Sequence, residues 1–290
     1  LEERFFIETL ETERRQQSKD GTVKYLFRLP DGNCIETVLM RYSYGNTVCV
    51  STQVGCRMGC RFCASTQGGR VRNLTAGEIA NEVYAAARDT GERVSHIVLM
   101  GIGEPLDNFD HVMDFLSIIS SPNGVNIGMR NISLSTCGLV PMIYKLAERH
   151  LGLTLSVSLH APTDEMRSSM MPVNDVYPVE QLIRACRDYQ QETGRRVSFE
   201  YSMVNGVNDS PQTARRLAQL IKGMGAHVNL IPINPVDGSP YSATDAANVK
   251  RFQTLLTELG VNATVRRRLG TDISAACGQL RREAKGGTTA

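Results

Sequence analysis

Seven short β-branched or apolar runs recur along the chain, at Thr47–Gln53, His96–Met100, Asn131–Thr136, Thr154–His160, Val197–Val204, His227–Ile233 and Ala263–Arg268. Stretches of helical period lie between them. One begins with Thr75-Ala76-Gly77-Glu78, a capping-box pattern ahead of Ile79, Val83 and Tyr84; others cover Tyr177–Glu192 and Pro211–Met224. Strand and helix in regular alternation imply parallel strands joined by helical crossovers. The 290 residues fall near the roughly 250 of a β/α barrel. No GxGxxG follows the first strand, so a complete or partial barrel is expected rather than an open doubly wound sheet. Ahead of it, residues 22–42 alternate (Val23, Tyr25, Phe27, Leu29, then Ile35, Val38, Met40) around Pro30-Asp31-Gly32-Asn33. That pattern reads as an antiparallel hairpin appended to the barrel.

With 41% apolar and 21% charged residues, no repeat and no low-complexity tract, the chain is globular rather than disordered or solenoidal. No window reaches the roughly 18 to 20 apolar residues of a membrane helix, and Leu1-Glu2-Glu3-Arg4 lacks the basic start and apolar core of a signal peptide. The expected compartment is the cytoplasm, with no membrane partner. Positive charge is segregated: residues 49–77 hold Arg57, Arg61, Arg70 and Arg72 and no acid. Residues 261–290 hold Arg266, Arg267, Arg268, Arg281, Arg282 and Lys285 against Asp272 and Glu283. Such segments either attract a polyanion or form a solvated face. The pairs Arg14-Arg15 and Arg215-Arg216 read as solvated helix surface.

The eight cysteines are too few for a disulfide scaffold, but their spacing is informative. Cys56-Arg57-Met58-Gly59-Cys60-Arg61-Phe62-Cys63 is a CxxxCxxC loop directly after the first barrel strand. Three thiolates on one short loop can hold three irons of a cubane and leave the fourth open to a ligand. A structural zinc site wants four protein ligands, so a distant His completing a zinc site is the competing reading. Gly55 and Gly59 let backbone approach such a cluster, and Met58 and Phe62 can shield it. Cys34, Cys137 and Cys186 read as structural thiols.

The triad resembles the signature of the radical S-adenosylmethionine enzymes. Val48-Cys49-Val50-Ser51-Thr52-Gln53-Val54-Gly55-Cys56, Met100-Gly101-Ile102-Gly103-Glu104-Pro105-Leu106-Asp107-Asn108, Ser158-Leu159-His160-Ala161-Pro162 and Asp272-Ile273-Ser274-Ala275-Ala276-Cys277-Gly278-Gln279-Leu280 narrow the match. Together they resemble the ribosomal RNA adenine carbon-2 methyltransferases, over about residues 22–281. The resemblance implies an α/β fold, a partial β/α barrel of radical S-adenosylmethionine type with an N-terminal β-hairpin extension. It divides the chain into a remnant of an N-terminal accessory region (1–21), the hairpin (22–42), the barrel with its C-terminal catalytic cysteine segment (43–281) and a tail (282–290).

It further implies a [4Fe–4S] cluster on Cys56, Cys60 and Cys63. S-adenosylmethionine would be held by Gly103 and Glu104, whose carboxylate suits the methionine ammonium, and by Ser135, Ser158, Leu159, His160 and Asn234. Taken alone, Gly-Glu-Pro and Asn-Pro are turn punctuation, and a lone His is more often a core residue. Carbon 2 of adenine is electron-poor, so a carbon radical is the plausible attacker and needs a carrier. The resemblance supplies one. Cys277 takes a methyl group from a first S-adenosylmethionine, and a second gives the radical, two per turnover. Cys49 then releases the product by forming a transient disulfide with Cys277. Glu36 occupies the position of the family's proton acceptor. The implied partners are 23S ribosomal RNA, transfer RNA and an electron donor such as flavodoxin or ferredoxin, with the protein a monomer. A carbon-8 adenine methyltransferase of the antibiotic-resistance type and a zinc-stabilised RNA-binding module without catalysis are the alternatives.

Overall fold

The computed structural model describes residues 9–233 and 241–273. The chain folds into two compact units. Of the described residues, the first comprises 9–57, 67–132 and 269–273; the second comprises 58–66, 133–233 and 241–268.

In the first unit, strands β1 (Glu11–Gln17), β2 (Val23–Arg28), β3 (Cys34–Tyr42) and β4 (Gly45–Cys49) form an antiparallel succession. The strand β7 (Val94–Leu99) joins β4 in parallel, and β5 (Gln53–Gly55) pairs β6 (Arg70–Asn73) antiparallel in a separate ribbon. Helices α1 (Ala76–Thr90) and α2 (Phe109–Ser120) complete the unit. The expected hairpin is β2–β3, closed where the Leu29 N–H donates to Asn33 O at 2.8 Å and Gly32 takes φ +80°. Its neighbour β1 corrects the reading of Arg14-Arg15, since both lie on an exposed strand and Arg15 pairs with Asp89 at 2.9 Å. The segment is too polar for apolar periodicity to reveal it; the open ladder edge of β2 makes it a strand.

The run Thr47–Gln53 divides into β4 and β5 for a local reason. The Ser51 N–H leaves the ladder for the buried Glu82 carboxylate, at 3.1 and 3.0 Å from its two oxygens, and the chain turns there. Burial raises the Glu82 pKa well above the usual carboxylate range. On α1 the capping box forms as its spacing predicts. The Thr75 hydroxyl accepts from the Glu78 N–H at 3.2 Å, and the Glu78 carboxylate accepts from the Thr75 N–H at 2.8 Å. Thr75→Ala is expected to lower stability by about 1 kcal/mol, read from urea unfolding midpoints.

The second unit carries five parallel strands in the order β8 (Ile132–Thr136), β9 (Thr154–Ser158), β10 (Val197–Met203), β11 (His227–Pro232) and β12 (Asn262–Val265). Its helices are α3 (Val140–Ala147), α4 (Asp164–Met170), α5 (Val179–Thr193), α6 (Pro211–Leu220) and α7 (Ala246–Glu258). Pro178 disfavours helix at the residue before it, so α5 begins two residues later than the periodicity suggests. Gly223 and Gly225, both at positive φ, lie beyond the end of α6, whose Arg215 and Arg216 are exposed as expected. Val157, Phe199, Tyr201, Val228 and Leu230 are buried in this parallel sheet. No helix among the described residues is long and apolar enough to cross a membrane.

Candidate active site

In the first unit, two backbone segments press together where the strands end. At Gly101 a Cβ would stand 2.5 Å from Val50 O and 2.8 Å from Ser51 N. At Gly103, with φ +113°, it would stand 2.7 Å from Gln53 Cβ and 2.8 Å from Thr52 Oγ1. Only glycine permits that approach. Between them Ile102 O accepts the N–H groups of Thr52 and Gln53 at 2.8 and 3.1 Å. Glu104 is thereby fixed: its N–H donates to Gln53 Oε1 at 2.9 Å, and one carboxylate oxygen accepts the Leu106 N–H at 3.0 Å. A carboxylate suits an ammonium by charge and by accepting its N–H groups.

Cys49 ends β4, buried in a small cluster with Val38 and Met40. The register sets Lys24, Val38 and Cys49 side by side across three strands. Glu36 is two residues from Val38 and so shares that sheet face. Its carboxylate lies 2.9 Å from Lys24 Nζ, and both side chains are essentially sealed from solvent, at 2% and 0% exposure. No sequence signal marks Lys24, since an alternating strand with apolar odd positions implies an exposed lysine there. Removing one member strands a buried charge. Lys24→Met is accordingly expected to cost about 3–5 kcal/mol in chemical unfolding, far more than a surface lysine change.

Cys56 is buried, with its N–H donating to Gly69 O at 3.2 Å. The basic segment around it is largely neutralised. Asp107, only 7% exposed, is 2.5 Å from Arg57 Nη2 and 3.0 Å from Arg70 Nη1. Arg72 pairs with Glu78 at 2.8 Å and Asp31 at 2.6 Å. Three of the four arginines read as a charged patch thus hold the loop in place.

In the second unit, Cys60 and half-buried Cys63 sit in an apolar cluster with Cys137, Met170, Met171, Val173, Val204 and Ile233, and Met58 and Phe62 pack on it. The loop is tied down by the Arg61 N–H to Met170 O at 2.9 Å, and closed by the Cys63 N–H to Cys60 O at 3.1 Å. The Phe62 ring stands edge-on to His160, centroids 4.9 Å apart.

Ser135 lies on β8, Ser158 ends β9, and Leu159 and His160 follow it, both buried. His160 adopts φ +58°, a left-handed conformation held from both sides. Asn208 Nδ2 donates to its carbonyl at 2.7 Å, and its Nδ1 accepts the Ser202 N–H at 2.9 Å. Burial, with the Arg167 charge adding to it, pushes the His160 pKa down to about 3, so the ring is neutral with its proton on Nε2. In the unfolded chain the same group titrates near 6.5. Below that pH only the unfolded state takes the proton, so stability contributed here is complete above about 6.5 and falls as pH drops toward about 3. The wild type is expected to lose up to about 1.4 kcal/mol per pH unit more than His160→Gln in unfolding series between pH 6.5 and 4.5.

Arg167, Asn208 and Glu200 also border the site. Leu159 and His160 donate their N–H groups to Glu200 O at 3.1 and 3.3 Å. No short motif marks these residues. Asn234 and Cys277 lie outside the described residues.

The donor set fits an iron–sulfur cubane. Gly55 and Gly59 take φ +79° and +73°, giving the tightly turned loop such a group requires. The hydroxyls of Thr52 and Ser65, which flank the cysteine loop in sequence, are buried without a hydrogen-bond partner among the described residues. No set of three His, Cys, Asp or Glu side chains among the described residues is gathered on a single-ion site. A cubane takes its thiolates on separate corners and does not require that convergence.

A three-cysteine loop on α/β architecture with glycine-packed strand ends defines the radical S-adenosylmethionine class, and residues 50–218 match the Radical SAM superfamily. A solved radical SAM methyltransferase from Sphaerobacter thermophilus superposes with a TM-score of 0.91 at 50% identity, covering 94% of this chain and 81% of that one. A probable dual-specificity RNA methyltransferase RlmN of Desulforamulus reducens is 57% identical over 91% of this chain and 76% of its own length. The Staphylococcus aureus protein of the same name is 54% identical over 97% and 78%. The chain belongs to the RlmN family of radical SAM RNA methyltransferases, an assignment that carries with it a [4Fe–4S] cluster and S-adenosylmethionine.

Proposed function

We propose that this enzyme methylates carbon 2 of an adenine in 23S ribosomal RNA and of the adenine 3′ of the anticodon in some transfer RNAs, consuming two S-adenosylmethionine molecules per turnover. Cys56, Cys60 and Cys63 hold the cluster, and Gly103, Glu104, Ser135, Ser158, Leu159, His160 and Asn234 hold S-adenosylmethionine. Together the bound cofactors supply a carbon-centred radical that converts the S-methyl group of Cys277 into the attacking species. Cys277 first accepts that methyl as a thiolate, then carries the methylene carbon onto the ring, so that RNA becomes covalently attached to the protein. The adduct would give its unpaired electron back to the bound cluster, and Glu36 then takes the carbon-2 proton. The Cys49 thiolate attacks the Cys277 sulfur, breaking its bond to the methylene carbon as the disulfide forms, and that carbon takes up a proton to become the methyl group of the freed base.

The observation that supports this reading is the placement of Glu36 and Cys49 on one buried face of adjacent strands, Cys49 opposite Val38 and Glu36 two residues along from it. Lys24 supplies the counter-charge that a carboxylate needs there. The enzyme works in the cytoplasm as a monomer, reduced by a flavodoxin or ferredoxin.

Incubation of reconstituted enzyme with unmethylated ribosomal and transfer RNA under anaerobic, reducing conditions should yield 2-methyladenosine in both, read by nucleoside mass spectrometry. Exclusive formation of 8-methyladenosine would overturn the carbon-2 assignment. Zinc in place of about four irons and four sulfides per chain would overturn the cluster.

A further inference from the structure

Arg167 is the largest fully buried side chain among the described residues. Its guanidinium donates from Nε to Leu159 O at 3.1 Å, from Nη2 to Cys137 O at 2.6 Å and Ser158 O at 3.1 Å, and from Nη1 to Asn174 Oδ1 at 3.1 Å. These bonds tie the end of β8 to the end of β9, and every acceptor is neutral. The nearby Asp164 carboxylate is engaged elsewhere, by Asn174 Nδ2 at 3.1 Å and the Val179 N–H at 2.7 Å. Among the described residues no ion pair satisfies Arg167.

A cation sealed from water without an anion is strongly unfavourable, so a counter-charge is to be sought close by. Cys60 shares a buried cluster with Cys137, whose carbonyl Arg167 bonds, and with Met170, which ends the Arg167 helix. Cys186 is excluded as an anion because burial pushes its thiol up to about 12. Cys60 is different in kind. It belongs to the CxxxCxxC loop, and a metal-bound sulfur is a permanent thiolate. The loop next to it is hydrogen-bonded to Met170 O, the last residue of the helix that carries Arg167.

We propose that Arg167 is the buried counter-charge of the iron–sulfur centre, a positioning residue that braces the Cys137, Ser158 and Leu159 backbone and raises the reduction potential of the cluster on Cys60 and Cys63. With three thiolates, a cubane of this type carries one negative charge when oxidised and two when reduced. A fixed neighbouring cation therefore favours the reduced form, the one that donates an electron to S-adenosylmethionine. The inference rests on Cys56, Cys60 and Cys63 being the cluster ligands, and iron and sulfide content of the wild type tests that premise separately.

The test compares anaerobically reconstituted wild type with Arg167→Lys, Arg167→Gln and Arg167→Met in a redox titration followed by electron paramagnetic resonance. With wild-type iron content, the Gln and Met variants should show a more negative midpoint, a drop of about tenfold in reduced-to-oxidised ratio at fixed potential, or about 59 mV for one electron. Arg167→Lys, which keeps the charge and loses the fork of hydrogen bonds, should stay within about threefold of wild type. Unchanged midpoints in Gln and Met would overturn the proposal, as would a shift in Lys equal to theirs, because either pattern makes the residue only a strut. If those two variants do not fold, Asn174→Asp decides. It sets an anion against the same guanidinium and should also drive the midpoint negative, and an unchanged midpoint there would equally sink the idea.

Discussion

Replacing Cys277 with alanine should abolish methyl transfer, by roughly 10⁴-fold or more, while iron content and S-adenosylmethionine binding stay at wild-type levels. Replacing Cys49 should give a different failure. In the proposed scheme the methylene carbon is bonded to the ring before Cys49 acts, so Cys49→Ala should accumulate protein cross-linked to RNA, visible as a shifted band that ribonuclease collapses. The expected asymmetry follows from the order of events proposed, in which one thiol carries carbon and the other acts only on the sulfur of the finished adduct. Glu36→Gln should resemble Cys49→Ala rather than Cys277→Ala, since an adduct that keeps its carbon-2 proton cannot be released. Normal product from either cysteine variant would refute the two-thiol scheme. Adduct in Cys277→Ala would refute the assignment of the carrier.

The second large effect belongs to Gly103. Alanine there must adopt φ +113° and place its Cβ 2.7–2.8 Å from Gln53 and Thr52. Strain and overpacking each cost on the order of 1–3 kcal/mol, so Gly103→Ala should lose about 3 kcal/mol or more of stability. It should also lose S-adenosylmethionine affinity, because Glu104 is held through the Gln53 side chain that the new methyl group displaces. Gly91→Ala is the control. It has φ +66° with open space around the position and should cost only about 1–2 kcal/mol with binding intact. Equal stability losses in the two variants, with calorimetric S-adenosylmethionine titrations unchanged in both, would show that the Gly101–Gly103 ridge is no part of the cofactor site.

Legibility in the sequence followed the range of the interactions. Six of the seven expected strands appear with ends shifted by a few residues, the seventh is split at Ser51, and the Thr75–Glu78 box forms, because each depends largely on neighbours a few positions away. The hairpin at 22–42 was readable for the same reason. The charged residues were not. Lys24 looks exposed because its odd-numbered neighbours are apolar, yet β2 is buried on both faces. Arg167 sits in Asp164-Glu165-Met166-Arg167, which reads as a polar helix surface, and it is fully enclosed. Arg57 and Arg70 look like a patch for a polyanion until Asp107, 50 and 37 residues away, takes both.

The order of residues was enough to set the chemistry: three thiols at fixed spacing on one loop, glycines where backbone must approach backbone, and a strand–helix rhythm that admits little besides an α/β fold. These are local constraints, imposed by covalent reach and by the conformations each residue type allows. Which charges are buried, what compensates them and which strand faces they share emerged only on folding. Those outcomes depend on desolvation and on register between segments tens of residues apart, and neither is written in the order of neighbouring residues.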